Sequence, residues 1–147
     1  MKHLIFIALF SLINISVYAQ VRTEVNYDSK SKQFSLKFIN DFDRMVVLSP
    51  VSEIEPEKAC IYWITWQDDN HNALKTHSDY VFIPITVCRI PAKKSRTFVV
   101  DAEVTGNKVK YVEIRIHTEV YLYDKKTNKI DRKNTWKDKD FTKIYEY

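Results

Sequence analysis

Hydrophobic and polar residues alternate with a period of two along much of this chain, the spacing that sends successive side chains to opposite faces of a β-strand. The longest alternation covers residues 111–123. One face of this segment consists of Val112, Ile114, Ile116, Thr118, Val120 and Leu122. The other face consists of Tyr111, Glu113, Arg115, His117, Glu119, Tyr121 and Tyr123. A helix would spread these charges around its whole circumference, so the pattern predicts one long strand with a buried and a wet face.

Shorter segments of the same kind predict further strands. Phe34, Leu36 and Phe38 alternate with polar residues up to Asn40. Apolar or alternating residues also occupy 46–48, 61–66, 80–87, 97–100 and, as a Lys-rich edge strand, 141–145. Two further segments are predicted differently: the polar residues 68–79 as a loop, and residues 51–59 as one turn of helix.

Seven to eight short strands in one chain predict an all-β, antiparallel, two-sheet sandwich of the immunoglobulin-like type. A small closed barrel is the alternative architecture. Both arrangements bury alternate residues, so the periodicity does not separate them.

The N-terminus has the organisation of a secretory signal peptide. Lys2 precedes an apolar run over residues 4–17, and the small residue Ala19 follows it. The run is shorter than the ~20 residues of a membrane span, although an uncleaved anchor is the alternative. We therefore expect residues 1–19 to be removed, leaving one domain over residues 20–147 that is periplasmic or secreted, without a stable membrane anchor.

The charge and glycine content narrow the possible functions. The net charge is +4, and the cations are dispersed along the chain, which gives no indication of a nucleic-acid partner. The basic segment 125–133 is interrupted by Asp124 and Asp131 and is predicted to be a solvated tail. A single glycine, Gly106, excludes glycine-rich phosphate-binding loops.

Two cysteines in an exported chain favour a disulfide bond. If residues 60–67 and 81–88 pair as a hairpin, Cys60 lies opposite Cys88 at a separation that suits such a bond. Two free buried thiols and a pair of metal ligands are the alternatives.

The 68–79 loop concentrates oxygen and imidazole groups. Asp69, His71, His77 and Asp79 are candidate ligands for zinc or a similar cation, although Asp, Asn and His are also common in turns. No nucleophile motif such as G-x-S-x-G occurs, so we nominate no catalytic residue and no cofactor.

Aromatic residues on the wet face of the long strand form a candidate binding face. Its members are Tyr111, Arg115, His117, Tyr121 and Tyr123. Tyr and Arg are enriched at protein-binding hot spots, and Tyr also stacks on sugars. The alternative is that Trp136, Tyr145 or a neighbouring loop covers this face. In residues 61–66, Trp63 and Trp66 must point to opposite faces of their strand.

Two segments resemble the first domain of periplasmic pilus chaperones. One is Phe34–Asn40, a strand ending in Asn; the other is Tyr80–Val100, an apolar run ending in Arg89, then a Pro-containing turn and a strand. The resemblance covers about 30 residues and implies an immunoglobulin-like sandwich. The second domain of those chaperones is missing from this chain.

Together these observations predict an exported, non-enzymatic domain that binds a protein partner, with an inhibitor or immunity protein as one form. A small-ligand or carbohydrate-binding module is the first alternative. The second is a metal-binding protein or metal-dependent enzyme that uses the 68–79 loop.

Overall fold

A computed structural model describes residues 21–48, 60–81, 88–106, 108–127, 129–136 and 141–147. This part of the chain is all-β and contains no helix. Its strands are β1 (Val21–Asp28), β2 (Gln33–Asn40), β3 (Val46–Leu48), β4 (Ile61–Gln67), β5 (Ala73–Tyr80), β6 (Cys88–Ile90), β7 (Ser95–Asp101), β8 (Tyr111–His117), β9 (Val120–Asp124), β10 (Lys129–Trp136) and β11 (Phe141–Glu146). The predicted signal peptide and the predicted helical turn at 51–59 lie outside the described residues.

The strands form three antiparallel sheets. Sheet A has the order β1-β2-β7, sheet B the order β10-β9-β3-β6, and sheet C the order β11-β8-β4-β5. The predicted all-β, antiparallel class is confirmed. The predicted count of seven to eight strands is wrong, because polar strands and breaks within long strands raise the number to eleven in the described residues.

The predicted single strand over residues 111–123 is wrong in its continuity. The chain breaks at Thr118 and Glu119, so β8 pairs within sheet C and β9 pairs within sheet B. Both residues are buried, and each has a polar partner: Thr118 Oγ1 lies 3.6 Å from Cys60 Sγ, and the Tyr121 hydroxyl donates to Glu119. The face alternation continues through the break, because both Ile116 and Val120 belong to the core.

Sheet B connects the other two sheets. The chain passes from sheet A to sheet B between β2 and β3, and it returns from sheet B to sheet A between β6 and β7. Between β8 and β9 it passes from sheet C to sheet B. Strands that change sheets at a bend form the corners of β-structures. One hydrophobic core therefore draws on all three sheets, with Leu36 from sheet A, Leu48 from sheet B and Ile114 from sheet C.

Sheets A and C also pack directly against each other. The Tyr145 hydroxyl in β11 donates to the Val25 carbonyl in β1 at 2.7 Å. The Trp66 indole in β4 donates to the Ala102 carbonyl at 2.9 Å, just after β7. Trp66 is buried and Trp63 is half-buried on the opposite face of β4, which confirms that the two tryptophans point in opposite directions.

The predicted hairpin between residues 60–67 and 81–88 is wrong. β4 pairs with β5, with Ile61 opposite Tyr80, so most of the predicted polar loop is a strand. Every residue of β5 is exposed, which explains why hydrophobic patterning did not reveal it. Of the predicted apolar run, residues 82–87 lie outside the described chain.

The cysteines accordingly lie on different elements. Cys88 is opposite Leu48 in sheet B, whereas Cys60 immediately precedes β4 in sheet C. Both are buried free thiols, so the predicted Cys60–Cys88 disulfide is not formed in this structure. Burial raises the pKa of Cys60 to about 12, against a smaller lowering by Thr118, so its thiol is protonated at neutral pH.

Asn40, at the end of β2, holds together the bends where chain segments pass between sheets A and B. It is completely buried. Its side-chain nitrogen donates to three backbone carbonyls, those of Arg44 (2.8 Å), Ile90 (3.0 Å) and Pro91 (2.9 Å). Its side-chain oxygen accepts from the Phe42 amide at 2.9 Å, and its own amide donates to the Lys94 carbonyl at 2.9 Å. A single side chain thus satisfies backbone groups of two separate bends.

A second cluster fastens the C-terminal residues. The ring of Tyr27 in β1 lies 4.8 Å from Phe34, 5.7 Å from Tyr145 and 6.4 Å from Tyr147, measured between centroids. The Tyr27 hydroxyl is buried without a hydrogen-bond partner among the described residues. Burial, with smaller contributions from Tyr147 and Asp28, raises the pKa of Tyr27 to about 12.

We expect Asn40→Asp to destabilise the fold by about 3 kcal/mol, because a carboxylate would face three carbonyls to which it cannot donate. Urea unfolding measures the effect. Asn26→Asp, at an exposed position of β1, is the matched control and should change the unfolding free energy by less than about 0.5 kcal/mol. Equal effects of the two substitutions would show that the Asn40 hydrogen bonds do not stabilise the fold.

We expect Tyr27→Phe to leave stability at neutral pH unchanged or to raise it by up to about 1 kcal/mol, because it removes a buried hydroxyl without a partner. Since the folded pKa is raised above the ordinary 10.0, the stability of the wild type is independent of this group's ionisation below pH 10. Its stability falls relative to that of the variant as the pH rises from 10 to about 12, because the hydroxyl ionises more readily in the unfolded chain. Absorbance titration of tyrosinate should lose one late-ionising group in the variant, and an unchanged titration would contradict this assignment.

Candidate functional site

The outward side of sheet C, hereafter the sheet C face, is the broadest patterned surface among the described residues. It consists of the side chains opposite the core on four strands: Ile61, Trp63 and Thr65 of β4, Thr76, Ser78 and Tyr80 of β5, Tyr111, Glu113, Arg115 and His117 of β8, and Thr142 and Ile144 of β11. Antiparallel register places these residues in rows across the sheet, so residues distant in sequence become neighbours.

Trp63 and Arg115 form the centre of the sheet C face. They are directly opposite each other in the β4–β8 pairing, and the Arg115 guanidinium lies 4.4 Å from the centroid of a Trp63 ring. This is cation–π geometry. Arg115 remains exposed and Trp63 half-buried, so both are accessible to a partner.

Exposed hydrophobic side chains flank this centre. Tyr80, at 36% exposure, lies across from Ile61 on one side, and Ile144, at 45%, lies across from Glu113 on the other. Exposed hydrophobic side chains beside an aromatic–arginine pair are characteristic of protein-binding hot spots.

His71 extends the sheet C face at the β4–β5 turn. Its ring stacks on Tyr111 with a centroid separation of 4.2 Å and an interplanar angle of 22°. Its Nδ1 lies 3.2 Å from the Gln67 side-chain oxygen, and the Gln67 amide donates to Glu113 at 3.2 Å. Gln67 is buried, so these partners satisfy a buried polar group and fix the orientation of Tyr111.

The structure divides the predicted binding face. Tyr111, Arg115 and His117 lie together on the sheet C face, but Tyr121 and Tyr123 belong to β9 in sheet B. Tyr121 contacts the buried Glu119, and Tyr123 lies 5.3 Å from the Arg89 guanidinium. The five residues therefore lie on two different sheets, because the chain passes from sheet C to sheet B between His117 and Tyr121.

Sequence reasoning missed Trp63 and His71 as members of this surface. Trp63 was recognisable as opposite to Trp66, but only the β4–β8 register places it beside Arg115. The contact between His71 and Tyr111 joins a turn to a distant strand, so no pattern within either sequence segment predicts it.

The candidate metal ligands do not converge. His71 stacks on Tyr111 on the outer face, whereas His77 points the other way and lies 6.3 Å from Tyr62. Across the described chain, no three His, Cys, Asp or Glu side chains are close enough to hold a metal ion. The candidate ligands Asp69, His71, His77 and Asp79 therefore do not form one cluster in the described residues.

The turn is instead organised by Asp68. Its carboxylate accepts hydrogen bonds from the Asn70 amide, the Asn72 amide and the Asn72 side chain, at 2.9–3.1 Å. These bonds, those to Asn72 first, hold the pKa of Asp68 below its ordinary value. His71, at the turn's centre, adopts the left-handed conformation with φ of 62°. The polar composition thus serves the turn itself.

Strand β5 lies at the edge of sheet C and pairs with β4 alone among the described strands. All eight of its residues are exposed. A register shift next to Trp66 interrupts the pairing, and Lys75 extends over the Trp66 ring at 5.7 Å. Bulges and edge lysines discourage indiscriminate strand pairing. Strand β5 can therefore pair with a specific partner segment, but it is not a flat edge that promotes aggregation.

Within the described residues, no helix has the length and apolar character required to cross a membrane. No protein-family model and no curated protein matches this chain.

We expect Zn²⁺ and Ca²⁺ to leave the melting temperature unchanged, because the groups at the β4–β5 turn bond to one another and do not converge. Asp68→Ala should lower the melting temperature with or without metal. Asp68→Asn keeps an acceptor oxygen and should lower it less. Differential scanning fluorimetry provides the measurement, and a metal-dependent rise that Asp68→Ala abolishes would contradict this interpretation.

Proposed function

We propose that this protein is an exported, non-enzymatic domain that binds a protein partner through the sheet C face. The single observation that carries the proposal is the Trp63–Arg115 pair, accessible at the centre of that face and flanked by exposed Tyr80 and Ile144. Large aromatic side chains and arginine dominate the energetics of protein interfaces. The partner surface that fits is apolar, with a carboxylate facing Arg115.

Strand β5 adds a second means of contact beside the same face. An extended partner segment can pair with an edge strand through backbone hydrogen bonds, while side-chain pockets supply the specificity. Ser78 of β5 lies in the same cross-strand row as Trp63 and Arg115. A partner segment paired with β5 would therefore reach the centre of the sheet C face.

Export is supported by the basic, apolar and small residues of positions 1–19, which follow the secretory pattern. The proposed mature domain is residues 20–147. We further propose an immunoglobulin-like sandwich, supported by the direct packing of sheet A on sheet C and by the sequential strands that pass between sheets. Both thiols are buried, and the raised pKa of Cys60 makes this residue a poor nucleophile. These properties support a non-enzymatic role.

The test compares partner capture by three versions of the full chain expressed in its native cells. We expect wild type to capture a stoichiometric partner and Trp63→Ala with Arg115→Ala to lose it, because the double substitution removes the centre of the surface. The matched control is Val99→Ala, which removes a hydrophobic side chain that is 65% exposed on sheet A. Thermal melts verify that each variant is folded.

Capture that is equal in all three versions would contradict the proposed surface. Failure of wild type to capture any protein would contradict the proposed function. Recovery of the chain only from the cytoplasm, with Met1 still attached, would contradict export.

A further inference from the structure

A second site lies at the corner of the fold, away from the sheet C face. A cleft of about 480 Å³ opens between three turns: the β2–β3 bend, the β6–β7 bend and the β9–β10 turn. Its lining includes Arg44, Met45, Pro91, Tyr123, Lys125 and Lys126. The volume falls in the range of pockets that enclose small organic ligands.

The walls of this cleft are held by buried hydrogen bonds. The Asn40 side chain donates to the carbonyls of Arg44 and Pro91, which stand on two opposite walls. The Tyr123 amide donates to the Met45 carbonyl at 3.0 Å, which ties the third wall to the first. A cleft whose walls are fixed before a ligand arrives loses little conformational entropy on binding.

The charge of the cleft favours an anion. Arg44, Lys125 and Lys126 line it together with two carboxylates, those of Asp43 and Asp124, so the lining carries one positive charge in excess. The hydrogen bond from the Lys126 amide holds the pKa of the Asp124 carboxyl below its usual range, and the charge of Arg44 also helps to lower it. Asp43 is paired with Lys93 at 3.0 Å, and Asp124 accepts from the Lys126 amide at 2.9 Å.

The cleft also offers a surface for a ring. Tyr123 is half-buried in the lining, and the Arg89 guanidinium lies 5.3 Å from its centroid. Met45 and Pro91 add apolar contacts nearby. An aromatic side chain beside cations is suited to a sugar ring that carries a negative group, because the ring stacks while the anion pairs with Arg or Lys.

We propose that this cleft binds a sugar that carries a phosphate or carboxylate group. Arg44 and the lysines of the β9–β10 turn contact the anionic group, and Tyr123 stacks on the ring. This inference rests on a different surface from the proposed protein-binding function, so either can fail without the other.

The test titrates the full chain with glucose 6-phosphate, glucuronate, glucose and inorganic phosphate by isothermal calorimetry. We expect glucose 6-phosphate or glucuronate to bind saturably and to weaken as salt rises. Neutral glucose and phosphate alone should each bind at least about tenfold more weakly than the better charged sugar, since each makes only half of the contacts. Comparison of the two charged sugars identifies which anionic group the cleft prefers.

Arg44→Gln and the double variant Lys125→Gln with Lys126→Gln should each weaken binding at least about tenfold. Arg44→Gln keeps the Asn40 hydrogen bond, which goes to the Arg44 backbone and not to its side chain, and Lys125 and Lys126 are exposed. The matched control is Lys108→Gln with Lys110→Gln, which removes the same charge outside the cleft and should leave affinity unchanged.

Three results would overturn the proposal: no binding of either charged sugar, binding that the control weakens as much as the cleft variants, or inorganic phosphate binding as tightly as the better charged sugar. The last would show a site for the anion alone.

Discussion

The fold depends on the hydrogen bonds of one buried amide. Strands that leave one sheet and enter another must bend, and a bend deprives backbone groups of their partners in the ladder. Asn40 replaces those partners at the bends that follow β2 and β6, whose carbonyls, on Arg44 and Ile90, lie 46 residues apart along the chain. Without this side chain, the buried Ile90 carbonyl and the part-buried carbonyls of Arg44 and Pro91 would lose this donor, and the passage from sheet A to sheet B would carry a desolvation cost. The same bonds shape the corner cleft.

The alternation of hydrophobic residues predicted which side chains are buried more accurately than it predicted where the strands end. Phe34, Leu36 and Phe38 are all fully buried, as the pattern predicts. The break at Thr118–Glu119 is not visible in the sequence pattern, because the alternation of buried and exposed residues continues through the bend while the strand changes direction. β5 has no buried residue, so its formation depends on pairing with β4 and on the Asp68 turn, neither of which hydrophobicity reports. β1 was not predicted, although Val25 and Tyr27 alternate with the polar residues Glu24, Asn26 and Asp28.

The candidate surfaces show the same limit. Alternation identified Tyr111, Arg115 and His117 as neighbours on one face, since that relation is local to β8. Trp63 joined them through strand register, which is set by contacts between elements and not by either strand alone. The expected cysteine pair failed for this reason: it required residues 81–88 to pair with β4, whereas β5 occupies that position. Clustered polar residues at 68–79 are typical of a turn and also compatible with a metal site, and the bonds of Asp68 identify the turn.

The bond between Tyr145 and Val25 also has a kinetic consequence. It joins residues 120 positions apart in the chain, and it links β11 of sheet C to β1 of sheet A. Closing so long a loop is entropically costly, and proteins dominated by distant pairings fold slowly. A nascent chain therefore lacks β11, and with it this bond between sheets A and C, until residues 141–146 have been synthesised.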